Sequence, residues 1–78
     1  SLYEAKQFAL ERERHRLQIE LKQLGLKIAQ LKSEATHEEE VRELEQEQDS
    51  IEEKIAIITK SLKEDGYSSL LIETVENV

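Results

Sequence analysis

Two heptad runs that do not share a register constrain this chain more than any other feature. The first places Leu10, Leu17, Leu21, Leu24, Ile28, Leu31 and Ala35 at successive spacings of 7, 4, 3, 4, 3 and 4. The second places Val41, Leu44, Ile51, Ile55, Ile58 and Leu62 at spacings of 3, 7, 4, 3 and 4. Alternating threes and fours draw one apolar seam along a helix, and such a seam is covered by another helix. Arg14 and Gln48 sit at seam positions and interrupt it. If Leu21 and Ile28 are a positions, Leu24 and Leu31 are d, and Ala35 is the next a. The second run has a at Val41, Gln48, Ile55 and Leu62, so six residues separate Ala35 from Val41 where a continuous heptad needs seven. That loss equals two successive three-residue insertions and would overwind a continuous supercoil. Breaking the helix costs less.

Local chemistry puts the break at the same place. Thr36 followed by Glu39 is a capping-box pair, and Glu38, Glu39 and Glu40 then fall in a first turn, where the helix dipole favours negative charge. The reading is an all-α chain of two long helices, about 2–33 and about 37–65, joined by a turn at 33–37 into an antiparallel coiled-coil hairpin. Gly66 is a candidate C-terminal stop, since glycine takes the left-handed conformation that ends many helices. Beyond it, residues 66–78 form either a short third helix or a truncated continuation. The third helix would be capped by Ser68 or Ser69, run through Leu70, Leu71, Ile72 and Val75, and pack near Leu2, Tyr3 and Phe8.

Charge tests the hairpin against a parallel dimer. Folded at Thr36, the chain pairs Leu31 with Val41, Ile28 with Leu44, Leu24 with Gln48, Leu21 with Ile51, Leu17 with Ile55 and Leu10 with Leu62. The flanking positions then set Lys27 opposite Glu47, Glu20 opposite Lys54 and Lys32 opposite Glu38, all attractive, with Glu34 opposite Glu40 as the one repulsion, in the turn. A parallel homodimer would instead oppose Lys27 to Lys32, Glu40 to Glu45 and Glu47 to Glu52, leaving only Lys6 and Glu11 attractive. Each exposed pair contributes only about 0.2–1 kcal/mol, but such pairs select orientation. The same contacts arise between chains in an antiparallel, domain-swapped homodimer, which is the alternative arrangement.

The chain is 37% charged and 37% hydrophobic, with no Pro, Cys, Met or Trp, a composition of long helices. Its net charge of -7 argues against nucleic acid as a partner, because phosphate affinity needs clustered cations. The basic strip Lys6, Arg12, Arg14 and Arg16 is interrupted by Glu11, Glu13 and Glu20. Without cysteine there is neither a disulfide framework nor a thiolate zinc site, which suits a cytoplasmic setting. No apolar run reaches the length of a membrane span, and no signal-peptide pattern is present, so membrane insertion is not expected. A chain opening on Ser1 with no methionine is expected to be a segment of a larger protein.

No catalytic, cofactor-binding or metal-binding residues are expected. His15 and His37 lie far apart, and the Glu-rich stretch Glu38 to Glu53 lacks a calcium loop with its glycine, so it reads as a solvated helix face. Two helices enclose no pocket of the kind an enzyme uses. Gly25 stands mid-helix beside the seam, where it either permits close approach of helix two or a partner, or is a neutral surface residue. With Leu26, Ala29 and Ile57 it marks a candidate apolar face for a partner.

In architecture alone, a helical hairpin of this length resembles the antiparallel coiled coils of small-GTPase effectors and the regulatory stalk hairpins of some cytoskeletal motors. No family-specific motif accompanies the likeness. The functional expectation is a non-catalytic interaction or regulatory module of a larger cytoplasmic protein of cytoskeletal, motor or trafficking type. It would dock on its parent chain or on another protein's helix. The alternatives are a homodimerisation domain and a small-GTPase effector hairpin. Replacing Leu21 or Ile55 by a charged residue is expected to unfold the hairpin, read as loss of helical circular dichroism; retained helicity and melting would refute the seam.

Overall fold

The computed structural model describes residues 1–34 and 36–76, with side chains described as far as Glu64. Two helices, α1 (Leu2–Lys32) and α2 (Glu38–Glu76), lie antiparallel in a rod of 65 × 14 × 11 Å. α1 opens with a capping box: the Glu4 amide donates to Ser1 Oγ at 3.2 Å, while the Glu4 carboxylate lies 3.4 Å from the Ser1 amine. The capping-box signature therefore stands at residues 1–4, with Ser1 and Glu4, as well as at the turn, with Thr36 and Glu39.

The turn works without glycine or proline. Ser33 keeps right-handed backbone angles (φ -72°, ψ -15°), and the Glu34 amide donates to the Leu31 carbonyl at 3.1 Å, tightening the last turn of α1. Ser33 Oγ donates to the Gln30 carbonyl at 2.6 Å and so satisfies one of the carbonyls that a helix end leaves open. α2 starts one residue later than the Thr36 cap would have it. The His37 carbonyl accepts from the Val41 amide at 2.9 Å, so His37 is the flanking residue and Glu38 the first helical one. Thr36 is left outside the first turn, exposed to solvent. Ala35 lies outside the described residues.

Gly66 does not end α2. The helix continues through it to Glu76, and no described residue has a positive φ. A single glycine costs a helix interior about 1 kcal/mol, and no proline follows to prevent continuation. Residues 68–76 are accordingly the last turns of α2, not a third helix. Whether Leu70, Leu71, Ile72 and Val75 pack on Leu2, Tyr3 and Phe8 falls outside the described side chains.

Contacts across the hairpin set its register. Arg14 Nη1 donates to Thr59 Oγ1 at 3.5 Å, and a methyl group built on Gly25 would lie 3.7 Å from Gln48 Nε2. Both agree with Leu21 level with Ile51 and Leu24 level with Gln48. The seam is continuous: Tyr3, Gln7, Leu10, Arg14, Leu17, Leu21, Leu24, Ile28 and Leu31 on α1 are all buried or half-buried. So are His37, Val41, Leu44, Gln48, Ile51, Ile55, Ile58 and Leu62 on α2. Among the described residues only Leu17, Ile28, Val41 and Ile51 are buried, at 4–7% exposure. Gln7, Arg14, His37 and Gln48 interrupt the seam with polar groups, and the buried Gln7 Nε2 has no hydrogen-bond partner among the described residues. Polar groups at seam positions cost stability and fix register. Ile51→Ala is expected to lose about 2–5 kcal/mol, whereas Ile57→Ala, on the exposed side of the same helix, is expected to shift stability by under about 0.5 kcal/mol. Thermal melts of the two variants check this.

Candidate interaction surface

The candidate site is a surface. Leu17, Ile28, Val41 and Ile51 form the buried line of the seam, with Leu10, Leu21, Leu24, Leu31, Leu44, Ile55, Ile58 and Leu62 half-covered beside it. In a two-helix rod each apolar layer has open sides, so most seam residues stay half-covered and only some are buried.

The ion pairs differ from the set read off the register. Lys32 Nζ lies 3.9 Å from Glu45 Oε1, one heptad beyond Glu38. Side chains on a helix lean toward its N-terminus. In antiparallel helices this makes Lys32 and Glu45 converge while Lys32 and Glu38 diverge. Among the described residues, no ion pair within 4.0 Å joins Lys27 to Glu47 or Glu20 to Lys54. Glu20 is instead met within α1 by Arg16 Nη1 at 3.4 Å, and Arg16 Nε also donates to Glu13 Oε2 at 3.1 Å. That donation holds the Glu13 carboxyl below the usual carboxylate range; slight desolvation opposes it, and the Arg16 and Lys54 charges reinforce it. Glu13 raises Arg16 in return. As the folded-state value of Glu13 is lowered, its contribution is present above the ordinary carboxylate range and is lost as pH falls through it.

His37 sits where register reading placed a bare repulsion. Its Nε2 lies 2.8 Å from Glu34 Oε2 and its Nδ1 lies 3.6 Å from Glu40 Oε2, so the imidazole is lodged between the two carboxylates that face each other across the turn. The signal was present in the sequence, since His37 is three residues from each. His15 is exposed on the outer side of α1. Among the described residues no group of three or more His, Cys, Asp or Glu side chains is placed to hold a metal ion, and no helix is long and apolar enough to cross a membrane.

The four residues of the candidate partner face are spread over both helices. Leu26 and Ala29 are exposed on α1, Leu26 at 66%. Ile57 is exposed on α2, level with His15, roughly 16 Å along the axis from Leu26 at 1.5 Å per residue. Gly25 is half-buried and faces Gln48. The structure adds what that reading missed: Phe8, 61% exposed, and Ile19 lie on the same side of α1 as Leu26. An open groove runs between Phe8 and Ile19, bordered by Glu11, Arg12, His15 and Arg16. These residues follow a second heptad stripe: Ala5, Phe8, Arg12, His15, Ile19, Lys22, Leu26 and Ala29 recur at alternating threes and fours, opposite the seam.

No protein-family model, no curated protein and no solved structure matches this chain.

The space at Gly25 decides between its two readings. A methyl group there would make ordinary van der Waals contact with Gln48, so close approach does not require glycine. Gly25→Ala is therefore expected to stabilise the hairpin by up to about 1 kcal/mol. A chemical-denaturation curve measures this, and a destabilised variant would show that the helices pack more closely than described.

Proposed function

We propose that this chain is a non-catalytic interaction module. It would be a coiled-coil hairpin through which a larger cytoplasmic protein, of cytoskeletal, motor or trafficking type, docks on a partner or on another part of itself. One observation carries the reading. Phe8, Ile19 and Leu26 lie in line on the outer face of α1, outside the seam that holds the two helices together. A single exposed Leu needs no explanation, but large apolar side chains spaced along one helix face are the pattern of a contact surface. The intramolecular seam supplies a stiff support, and an aligned face on a stiff support binds with little ordering cost.

A domain-swapped homodimer is the competing reading, because its seam contacts would be identical. Sedimentation equilibrium over a wide concentration range separates the two. A constant mass of 9.1 kDa for this chain is expected. A mass that doubles with concentration would favour oligomerisation. Docking itself is tested by placing a photo-crosslinking residue at Leu26 or at Glu53 in the parent protein in cells. A discrete crosslinked product from position 26 and none from position 53 is expected. Absence of a discrete product from either position would remove the interaction reading.

A further inference from the structure

The outer face of α1 combines basic charge with apolar content. α1 carries seven Lys and Arg side chains against four Glu. All four carboxylates, Glu4, Glu11, Glu13 and Glu20, fall at positions flanking the seam, Glu11 at the edge of the groove, and none falls in the outward stripe. The outward stripe therefore alternates apolar Phe8, Ile19 and Leu26 with basic Arg12 and Lys22 and with His15. Among the described residues Arg12 and Lys22 take part in no ion pair. The Arg12 guanidinium instead lies 5.8 Å above the Phe8 ring. Arg16, beside the stripe, is already neutralised by Glu13 and Glu20.

We propose that this face receives an acidic amphipathic helix of another protein. Its apolar side chains would fill the spaces between Phe8, Ile19 and Leu26, and its carboxylates would meet Arg12, His15 and Lys22. The proposal rests on the interaction reading and names the chemistry of the partner. The stripe from Phe8 to Ala29 spans roughly 32 Å at 1.5 Å per residue, enough for about six helical turns of the partner.

The other occupants fit less well. Two copies meeting through this face would set Arg12 and Lys22 against their own kind. The acidic half of α2, residues 38–53, carries nine carboxylates against Arg42, but every apolar residue there is committed to the seam. Ile57 is the large apolar residue exposed on the described part of α2, and it has Lys54 and Lys60 three residues to either side. An anionic membrane would be drawn to the stripe yet repelled by α2, whose carboxylates in a rod 14 Å by 11 Å across stand within about two Debye lengths of any surface α1 touches.

The test uses the full chain and synthetic helical peptides of about 22 residues, with Leu or Ile on one heptad face flanked by Glu. A sequence-scrambled peptide of equal charge and a Lys-for-Glu counterpart serve as controls. Fluorescence anisotropy is expected to show binding of the acidic amphipathic peptide only, weakening between about 50 and about 300 mM salt. Ile19→Glu with Leu26→Glu, and separately Arg12→Glu with Lys22→Glu, are expected to weaken binding at least about tenfold. Melting curves should stay unchanged, and Ile57→Glu should leave binding intact. Equal binding of the scrambled peptide, or binding insensitive to both stripe variants, would overturn the proposal. So would a stripe-dependent doubling of mass, which assigns the face to a second copy, or stripe-dependent binding to phosphatidylserine vesicles without peptide binding, which assigns it to a membrane. If no peptide binds while position 26 still crosslinks to one protein in cells, the interaction reading stands and the acidic-helix assignment falls.

Discussion

The whole rod depends on one contact, the line of apolar layers where α1 and α2 face each other. An isolated helix is marginal in water even with good propensity, because nucleation is unfavourable and each residue added gains little. Among the described residues neither helix has a second apolar face that packs on another part of the chain. The layers compensate by sharing burial. Leu17 is buried beside half-covered Ile55, and Ile51 beside half-covered Leu21. Toward the turn the buried members are Ile28 and Val41, with Leu44 and Leu31 half-covered. The buried residues are d positions in the first two layers and a positions in the last two, so the covered side of the seam drifts along the rod. Gln7, Arg14 and Gln48 offer poor burial, and Arg14 reaches across the rod to Thr59, a contact that sliding of the helices would break.

Electrostatics is layered on that seam and divides the molecule. α1 is cationic and the first half of α2 strongly acidic, so folding the chain back brings opposite charges together and also meets the preferences of the helix dipoles at the turn. Lys32 closes α1 while Glu38, Glu39 and Glu40 open α2. The carboxylates of α1 stand at positions flanking the seam, Glu13 and Glu20 clasped by Arg16 and Glu11 at the edge of the outer groove, so the outward stripe itself carries no acid. The same arrangement that helps the hairpin close thus leaves a basic, partly apolar stripe pointing away from it. His37 plays a local version of this role, separating Glu34 from Glu40 where the backbone reverses.

Several features of the surface resisted reading from the linear chain for separable reasons. Lys32 was matched to Glu38 by register alone; the lean of side chains toward each helix's N-terminus brings Glu45 instead. Glu20 was matched to Lys54 across the seam, but Arg16 four residues earlier reaches it without any cost of crossing. The stripe of Phe8, Ile19 and Leu26 was hidden because its apolar residues are separated by basic ones, and only their common exposure sets them apart from the seam. Gly66 looked like a stop because glycine often ends helices, yet nothing in the next residues forces the left-handed turn that a stop requires.

The antiparallel pair follows from the residue pattern alone. A 3.5-residue period forces each seam onto one side of its helix, and the single missing residue between Ala35 and Val41 makes a reversal cheaper than an overwound supercoil. These are properties of backbone repeat and covalent spacing, and they hold before any contact is made. The tertiary structure decided which charges meet, how the imidazole of His37 is used, how much room stands over Gly25 and which apolar residues remain uncovered. Those depend on the axial offset of two helices and on the direction in which long side chains leave them, quantities that exist only once the helices are packed together.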